Sequence, residues 1–238
     1  MNFEGKNIIV AGGSSGIGES VITALYSAGA NIYNVSRTEN EHWPQGVNHI
    51  IFDVLADTLP AASSLPDVID GFVYLPGSIN LKPFSRLTGG DFLTDYRVNV
   101  LGAVKLLQHI LPGLKRSGNA SIVLLSSVAA SVGMTFHSSI AAAKGAINGL
   151  TISLAAELAS NKIRVNAVAP SLTETPLAAQ LVNTPEKKEA AAARHPLGII
   201  GSPEDVAAAI VFLLSGQSSW ITGQIIGVDG GLSNLRKN

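Results

Sequence analysis

A glycine-rich turn near the start of the chain carries the clearest chemical signal in these 238 residues. The segment AGGSSGIG at residues 11–18 follows a short apolar run and precedes a pattern typical of a helix. Glycines at such positions permit a tight turn and a close approach of the backbone to a pyrophosphate, while the helix N-terminus supplies oriented N–H groups. The alternative is a glycine-rich turn that binds no ligand. The segment predicts a dinucleotide site with contacts from Gly12, Ser14, Ser15, Gly16, Ile17 and Gly18.

Ser36 and Arg37 lie about 20 residues beyond these glycines, where such sites contact the adenosine ribose. An acidic residue at this point accepts a hydrogen bond from the 2′-hydroxyl of NAD(H). A guanidinium instead offers the 2′-phosphate of NADP(H) a forked, charge-assisted contact, and the Ser36 hydroxyl adds a further donor. The sequence therefore favours NADP(H) over NAD(H). The alternative is that Glu39 takes the acidic role in a shifted loop.

The elements that must position these residues alternate between strands and helices along the chain. That alternation predicts one domain over residues 1–238, with the α/β fold of a doubly wound, parallel sheet of seven strands. The segment from Leu172 to Gly201 has mixed features and is interpreted as a mobile helical lid or, alternatively, as a surface excursion. The predicted strands are Asn7 to Ala11, Asn31 to Val35, Asn48 to Asp53, Gly71 to Leu75, Ser121 to Ser126, Arg164 to Ala169 and Gln224 to Val228. The predicted helices are Ile17 to Ser27, Asp91 to Lys115, Ser139 to Ser160 and Pro203 to Leu214.

The composition excludes several other classes of protein. With 16 Lys+Arg against 17 Asp+Glu, the formal net charge is −1, and no basic surface for nucleic acid is implied. The chain has no cysteine, which excludes disulfides and thiolate metal sites, and no metal site is predicted. The most apolar stretch, Ile140 to Ala159, contains Lys144 and Glu157 and is too polar to span a membrane. The N-terminal segment lacks the basic and apolar regions of a secretory signal, so we expect a cytoplasmic protein.

The GxxxGxG spacing of the glycines resembles that of the short-chain dehydrogenase/reductase family. Further segments agree with the family in order along nearly the whole chain: Asp53-Val54, Gly77, Asn99, Ser127, Lys144, Asn166 to Pro170, Thr175 and Val228 to Gly231. The resemblance implies a Rossmann-type, NAD(P)-binding domain and an oxidoreductase. It also implies a homo-oligomer, either a tetramer or a dimer. The helix from Ile140 to Ala159 and the helix at Leu93 to Leu114 would pack against their symmetry mates, and the segment from Trp220 to Gly231 would form a second interface.

The resemblance implies cofactor contacts beyond the glycine turn. Asp53 would accept a hydrogen bond from the adenine amino group, with Val54 beside the ring. The alternative for Asp53 is an ordinary acid at a strand end. Backbone near Thr173 and the hydroxyl of Thr175 would hold the nicotinamide carboxamide. The full set of these implied contacts is Asp53, Val54, Gly77, Lys144, Pro170, Thr173 and Thr175.

The resemblance also implies catalytic roles for three polar residues. Ser127 would contact the substrate oxygen, and its alternative is a strand-end serine that the backbone satisfies. Lys144 would bind the nicotinamide ribose. Asn99 would anchor a water molecule that links Lys144 to solvent.

Two positions depart from the family pattern. Position 140, where the family carries the tyrosine that donates or accepts the proton, is isoleucine in this chain. The family's Asn-Asn-Ala-Gly after the fourth strand is replaced by YLPG at residues 74–77. His137, seven residues before Lys144, is the best candidate for a substitute proton donor. Its alternative is a solvated histidine in the loop before a helix.

Two functional hypotheses follow from these observations. The first is an NADP(H)-dependent, 3-oxoacyl reductase-like oxidoreductase with an atypical proton-donor site, which acts on a carbonyl or alcohol of a small or acyl-type substrate. The second is a catalytically inactive homologue that binds the cofactor and acts as a sensor or a structural partner. Both predict a small-molecule ligand and no nucleic-acid or membrane partner.

Overall fold

A seven-stranded parallel sheet with helices on both faces forms the centre of the computed structural model, which describes residues 1–56 and 58–236. The strand order is β3-β2-β1-β4-β5-β6-β7, and every neighbouring pair is parallel. This topology confirms the predicted single-domain, doubly wound α/β fold. The strands are β1 Asn7–Ala11, β2 Asn31–Ser36, β3 Asn48–Ile51, β4 Gly71–Tyr74, β5 Ser121–Leu125, β6 Arg164–Pro170 and β7 Ile225–Val228.

The helices agree with the predicted ones in place, and the largest difference is in the second of them. The α-helices are α1 Ile17–Ser27, α2 Gly89–Tyr96, α3 Gly102–Ser117, α4 Ser138–Leu158, α5 Pro185–Ala192 and α6 Pro203–Leu214. The helix predicted from Asp91 to Lys115 begins earlier, because Thr88 and Asp91 form a capping box before its first turn. A π-helical turn at Arg97–Leu101 then separates α2 from α3.

The third strand is also shorter than predicted. It ends at Ile51, not at Asp53. The Asp53 carboxylate accepts a hydrogen bond of 2.9 Å from the backbone N–H of Leu55, and this local turn directs the chain away from the sheet.

The core consists of two apolar layers, one on each face of the sheet. Alternate residues of β4 show the division, since Phe72 and Tyr74 pack on the face of α3 and α4, while Val73 packs on the face of α1 and α6. Both faces are covered, which explains why the central strands are continuous apolar runs and not alternating ones.

The direction of winding reverses between β1 and β4. From β1 the chain continues to β2 and β3 on one side, and it then returns to place β4 on the other side of β1. The loops that follow β1 and β4 therefore diverge and leave a crevice at the carboxyl ends of the strands, which is where ligands bind in open α/β sheets.

The segment from Leu172 to Gly201 is helical over 14 of its 30 residues. It contains a 3₁₀ helix at Pro176–Leu181 and then α5. Its start is joined to its end by a bridge between Thr173 and Gly201, so the segment leaves and rejoins the body of the protein at nearly the same point. No helix in the described part of the chain is long and apolar enough to cross a membrane.

Candidate functional site

The glycine turn after β1 has the geometry that a pyrophosphate requires. Gly16, with φ of 55°, precedes α1, and no side chain caps the first turn of that helix. A Cβ atom on Gly18 would lie 2.1 Å from the carbonyl oxygen of Gly12, so only glycine fits at position 18. Gly12 itself has φ of 83°, a conformation that other residues rarely adopt. Uncapped N–H groups at the positive end of a helix favour a bound anion.

Side chains from β2 and the segment after it hold this turn in place. Gly13 N–H donates to Asn34 Oδ1 over 2.9 Å, and the carbonyl of Gly13 accepts from Trp43 Nε1 over 3.0 Å. The carbonyl of Ser14 accepts from Asn40 Nδ2 over 3.0 Å. Sequence reasoning missed these three supports, although a fully buried asparagine in the middle of an apolar strand was a visible signal at Asn34.

Ser36 and Arg37, predicted to contact the 2′-phosphate, differ in how available they are. The Ser36 hydroxyl is buried, donates to the carbonyl of Thr38 over 2.7 Å and accepts from Asn34 Nδ2 over 2.8 Å. It is therefore already engaged inside the protein. Arg37 is exposed, and its guanidinium makes no hydrogen bond or ion pair with any described residue, so its five donors are free for a ligand.

Asp53 and Val54 lie just after β3. Asp53 uses one carboxylate oxygen for its turn. Val54 packs against the helix start at Gly102, where Tyr74 also contacts the backbone. The Tyr74 hydroxyl donates to the carbonyl of Val98 over 2.5 Å, and burial, with a smaller contribution from the charge of Asp53, raises the pKa of Tyr74 far above its usual value. Tyr74 thus joins the sheet centre to the π-helical turn.

A cavity of about 330 Å³ continues from the glycine turn along the carboxyl ends of β4, β5 and β6. The walls are mostly apolar, with contributions from the segment after β6, and no tyrosine is found among the described residues that line it. The structure brings eight of the eighteen predicted site residues together here, and Ile140 lies with them. Those at the cavity wall are Ile17, Gly77, Ser127, His137, Ile140, Lys144, Pro170, Thr173 and Thr175. The predicted residues outside the lining are Gly12, Ser14, Ser15, Gly16, Gly18, Ser36, Arg37, Asp53, Val54 and Asn99.

Lys144 is the buried cation of this cavity. It lies on α4 and donates from Nζ to the carbonyl of Leu125 over 2.7 Å. Burial lowers the pKa of Lys144 from 10.5 to about 7, and the attraction of the Asp95 carboxylate partly opposes that shift. Burial therefore favours the neutral form of the Lys144 side chain.

Gly77 leaves space between Lys144 and a second polar group. Asn99 Oδ1 is buried and has no hydrogen-bond partner among the described residues. A Cβ atom on Gly77 would come within 3.2 Å of that oxygen and 3.8 Å of Lys144 Nζ. An ammonium donor and an unpaired amide acceptor beside the same gap fit a ribose hydroxyl, which accepts from one and donates to the other. The donor set thus fits the nucleoside part of a dinucleotide.

Asn99 is placed by the π-helical turn. Its Nδ2 donates to the carbonyl of Asp95 over 2.8 Å and to Ser78 Oγ over 3.1 Å. A π-helical turn inserts one extra residue into a helix and is frequent at functional sites, because it redirects side chains inward. Sequence periodicity predicted the position of Asn99 within a helix but not this turn.

Ser127 and His137 each keep one group free at the cavity. Ser127 Oγ accepts from the backbone N–H of Ala129 over 3.2 Å, and its own O–H has no acceptor among the described residues. His137 Nδ1 lies 2.6 Å from the carbonyl of Thr135, so Nδ1 carries a hydrogen and Nε2 remains available. Ile140 follows on α4, one turn before Lys144, and is buried in the wall.

Asp95 is the main polar residue of the site that sequence reasoning missed. It is 1% exposed and accepts hydrogen bonds of 2.5 Å from Ser78 Oγ and from Ser139 Oγ. The signal was its position four residues before Asn99, which puts both on one face of a helix. Its two serine partners are 17 and 44 residues away, and no local pattern indicates them.

The turn after β6 joins the glycine turn to the helical segment that follows. His195 Nε2 lies 2.8 Å from Ser171 Oγ, and both residues line the cavity, although neither was predicted there. Thr173 Oγ1 donates to the carbonyl of Ser171 over 3.1 Å. A Cβ atom on Gly16 would lie 3.2 Å from the Thr175 side chain, so Thr175 lies directly against the glycine turn.

These features define a doubly wound α/β protein in which a glycine turn and a buried lysine share one crevice. A family model described as enoyl-(acyl carrier protein) reductase matches residues 11–233. The chain is 36% identical over 249 residues to a tropinone reductase homolog of Arabidopsis thaliana, with coverage of 98% of this chain and 94% of the relative. The chain belongs to the short-chain dehydrogenase/reductase family and is an oxidoreductase of that type.

Solved structures agree with this assignment over almost the full length. A 3-ketoacyl-(acyl-carrier-protein) reductase from Brucella melitensis complexed with NADH has a TM-score of 0.86 at 26% identity, covering 97% of this chain and 99% of that one. A gluconate 5-dehydrogenase from Burkholderia cenocepacia J2315 in complex with NADP and tartrate has a TM-score of 0.88 at 26% identity, covering 99% and 98%.

Proposed function

We propose that this protein is an NADP(H)-dependent oxidoreductase that interconverts a carbonyl and an alcohol on a small or acyl-type substrate, as a 3-oxoacyl reductase does. The observation that carries the proposal is the continuity of one cavity, which begins at Ile17 beside the uncapped start of α1 and ends at Ser127 and Lys144. A dinucleotide bound in the glycine turn would therefore reach the polar groups at the other end. We propose further that the protein is cytoplasmic and forms a homotetramer.

Each part of the cofactor has residues suited to it. Gly12 to Gly18 would hold the pyrophosphate, Arg37 the 2′-phosphate and Asp53 the adenine. Lys144 would bind the ribose hydroxyls next to Gly77, and Thr173 and Thr175 would hold the carboxamide. When bound, the reduced nicotinamide supplies the hydride that converts a carbonyl into an alcohol.

Arg37 is the reason for preferring NADP(H). The guanidinium is exposed and free of other partners, whereas Ser36 is committed to Thr38 and Asn34. The preference therefore depends on Arg37 and not on Ser36. The two solved relatives were obtained with different cofactors, NADH in one and NADP in the other, so relatedness alone does not choose between them.

The proton donor of this oxidoreductase would be atypical. We propose that Ile140 occupies the place where the family carries its catalytic tyrosine, because Ile140 lies in the cavity wall four residues before Lys144. An alkyl side chain has no proton to give, and Ser127 would only position the substrate oxygen. Two titratable groups near the cavity can take the role instead, namely His137 and, through Ser78, Asp95.

The cavity favours a substrate with an apolar part. Most of the residues that line it are apolar, several of them from the helical segment after β6, and Arg194 adds one exposed cation at the wall. An acyl chain with a polar or anionic end fits such a surface. The observation is consistent with the reductase of 3-ketoacyl thioesters among the solved relatives.

Cofactor binding without turnover is the second candidate function. Ile140 favours it, because loss of a general acid typically lowers a rate by about 10²–10⁴-fold. Such a protein would act as a sensor of the cofactor or as a structural partner of an active relative.

Titration with NADPH and NADH tests the cofactor assignment. We expect tighter binding of NADPH, and we expect Arg37→Ala to weaken it by about 10- to 100-fold while NADH binding stays unchanged, since hydrogen bonds to charged groups contribute about 1.5–3 kcal/mol. Arg86→Ala, which removes an exposed arginine outside the cavity, is the matched control. Equal affinity for both cofactors, or an Arg37→Ala variant like the wild type, would contradict the preference.

Turnover is tested separately with a panel of 3-oxoacyl thioesters, small ketones and the corresponding alcohols. Consumption of NADPH with a carbonyl substrate supports the oxidoreductase. Tight binding of NADPH with no consumption on the whole panel supports the second candidate.

A further inference from the structure

Asp95 is a buried carboxylate behind the wall of the candidate active site, which it contacts through Ser78. It lies near the end of α2, is 1% exposed and has no ion pair among the described residues. Two neutral hydroxyls, from Ser78 and Ser139, donate to its two oxygens over 2.5 Å each. Burial of a carboxylate is costly unless it is paired or hydrogen-bonded, and the partners of Asp95 in the described part of the chain are neutral hydroxyls.

Ser78 is the hydroxyl that joins this carboxylate to the cavity. A serine hydroxyl has one donor and two acceptor positions. Ser78 donates to Asp95 Oδ1 and accepts from Asn99 Nδ2, which leaves one acceptor position without a partner among the described residues. Ser78 lines the cavity between Gly77 and Ile79, whereas Ser139 does not line it. Only one of the two hydroxyls on Asp95 can therefore touch a substrate.

We propose that Ser78 and Asp95 form the proton-transfer pair of this oxidoreductase. Ser78 is the catalytic residue that contacts the substrate oxygen, and Asp95 acts through it. The inference rests on the proposed function, since it names the group that replaces the missing phenol at position 140.

The pair accounts for every proton of the reaction. In the oxidation of an alcohol, the substrate O–H bond breaks and its proton passes to Ser78 Oγ, while the proton of Ser78 passes to Asp95 Oδ1. The electron pair of the O–H bond becomes the second bond of the carbonyl, and the carbon loses its hydride to the oxidised nicotinamide dinucleotide. In reduction the same bonds change in reverse, and the protonated Asp95 carboxyl is the source of the proton.

The surroundings of the pair support this role over that of His137. The charge of Asp95 acts on Lys144 of α4, and Asn99 from the π-helical turn donates to the Ser78 hydroxyl. His137 belongs to the loop before α4, where its Nδ1 donates to the carbonyl of Thr135 at the surface, whereas the hydrogen bond from Ser78 to Asp95 is partly buried. The acidic partner in this cavity is better supplied by a carboxyl group.

Four variants test the pair in the full-length protein. We expect Ser78→Ala and Asp95→Asn each to lower kcat by about 100-fold or more, with KM and NADPH affinity nearly unchanged, because a lost proton donor affects only the chemical step. Asp95→Asn keeps the size of the side chain and an acceptor oxygen for one of the two serines, but its amide has no proton to exchange. Ser139→Ala removes an equivalent hydrogen bond from the same carboxylate, and we expect at most about a fivefold loss. Asp91→Asn, one turn earlier on α2 and outside the cavity, should leave the rate unchanged.

A spectroscopic measurement tests the pair independently of turnover. The infrared difference between wild type and Asp95→Asn, recorded without cofactor, identifies the carboxyl bands of Asp95. We expect Ser78→Ala to shift these bands and His137→Ala to leave them in place. Bands that do not move in Ser78→Ala would overturn the pair.

The remaining outcomes separate this inference from the proposed function. Wild-type protein that binds NADPH but never turns over overturns the oxidoreductase and the pair together. If the wild type is active and Ser78→Ala and Ser139→Ala lower kcat equally, the pair alone is overturned. The pair is also overturned if kcat is unchanged in Ser78→Ala and His137→Ala is inactive. That result would assign the proton to His137.

Discussion

The buried ammonium of Lys144 makes the stability of the cofactor-free protein depend on pH in a direction that can be worked out. In the unfolded chain this lysine keeps its proton up to its ordinary pKa of 10.5, whereas in the folded protein burial lowers the pKa to about 7. Between these values the unfolded state binds more protons than the folded state, so the free energy of unfolding rises with pH. Because each pKa unit corresponds to about 1.4 kcal/mol, the full effect is about 5 kcal/mol, of which about 2 kcal/mol falls between pH 7 and pH 9.

Urea denaturation of wild type and Lys144→Met at several pH values measures this contribution. We expect wild type to gain about 2 kcal/mol relative to Lys144→Met from pH 7 to pH 9, since the variant has no group to titrate there. Lys115→Met, which removes an exposed lysine of α3, is the control and should show a constant difference from wild type. A constant difference for Lys144→Met as well would refute the burial of a charged group at this position.

Three further predictions concern the phosphate turn, the active-site helix and the far end of the sheet. Gly18→Ala places a Cβ atom 2.1 Å from the carbonyl oxygen of Gly12. Thermal unfolding should therefore show a decrease in stability of about 1–3 kcal/mol, and titration should show weakened NADPH binding. A variant with wild-type affinity would contradict the close approach of the dinucleotide to this turn. Ile140→Tyr places a phenol in the wall of the cavity, and we expect the steady-state rate of carbonyl reduction to rise by up to about 100-fold. A variant that folds and binds NADPH but remains inactive would place the defect elsewhere in the site. Arg164→Met removes hydrogen bonds of 2.8 to 3.1 Å to carbonyl and hydroxyl oxygens around the C-terminus of α6. Chemical denaturation should show that the free energy of unfolding falls by about 3 kcal/mol. A decrease below about 1 kcal/mol would mean that solvent replaces these bonds.

The fold could be predicted because its determinants are local. Runs such as those at residues 7–11 and 121–125 are buried on both faces of the sheet, and continuous apolar strands between helical patterns have few other arrangements. The errors occurred where a side chain changes the path of the backbone. Asp53 ends β3 early through its own turn, and Thr88 with Asp91 starts α2 early through a capping box.

The site was predicted in outline but not in its polar connections. Glycine spacing indicates a phosphate turn because the steric requirement lies within seven residues of sequence. Lys144 lines the same cavity as Ile17 of that turn. The Asp95 network could not be predicted, because its hydrogen bonds depend on how α4 packs against the loop after β4. The π-helical turn that positions Asn99 is equally invisible to periodicity, since one extra residue barely changes the apolar pattern.

The hydrogen bond between the Trp43 indole and the carbonyl of Gly13 has a practical consequence. The chain contains only two tryptophans, and the other, Trp220, is 98% exposed. An aqueous quencher such as iodide would quench the fluorescence of Trp220 more than that of Trp43. The remaining emission would come mainly from the Trp43 indole, which contacts the glycine turn. The protein therefore carries an intrinsic fluorophore beside the very backbone that a nucleotide would contact, and label-free optical titration is possible without any engineered probe.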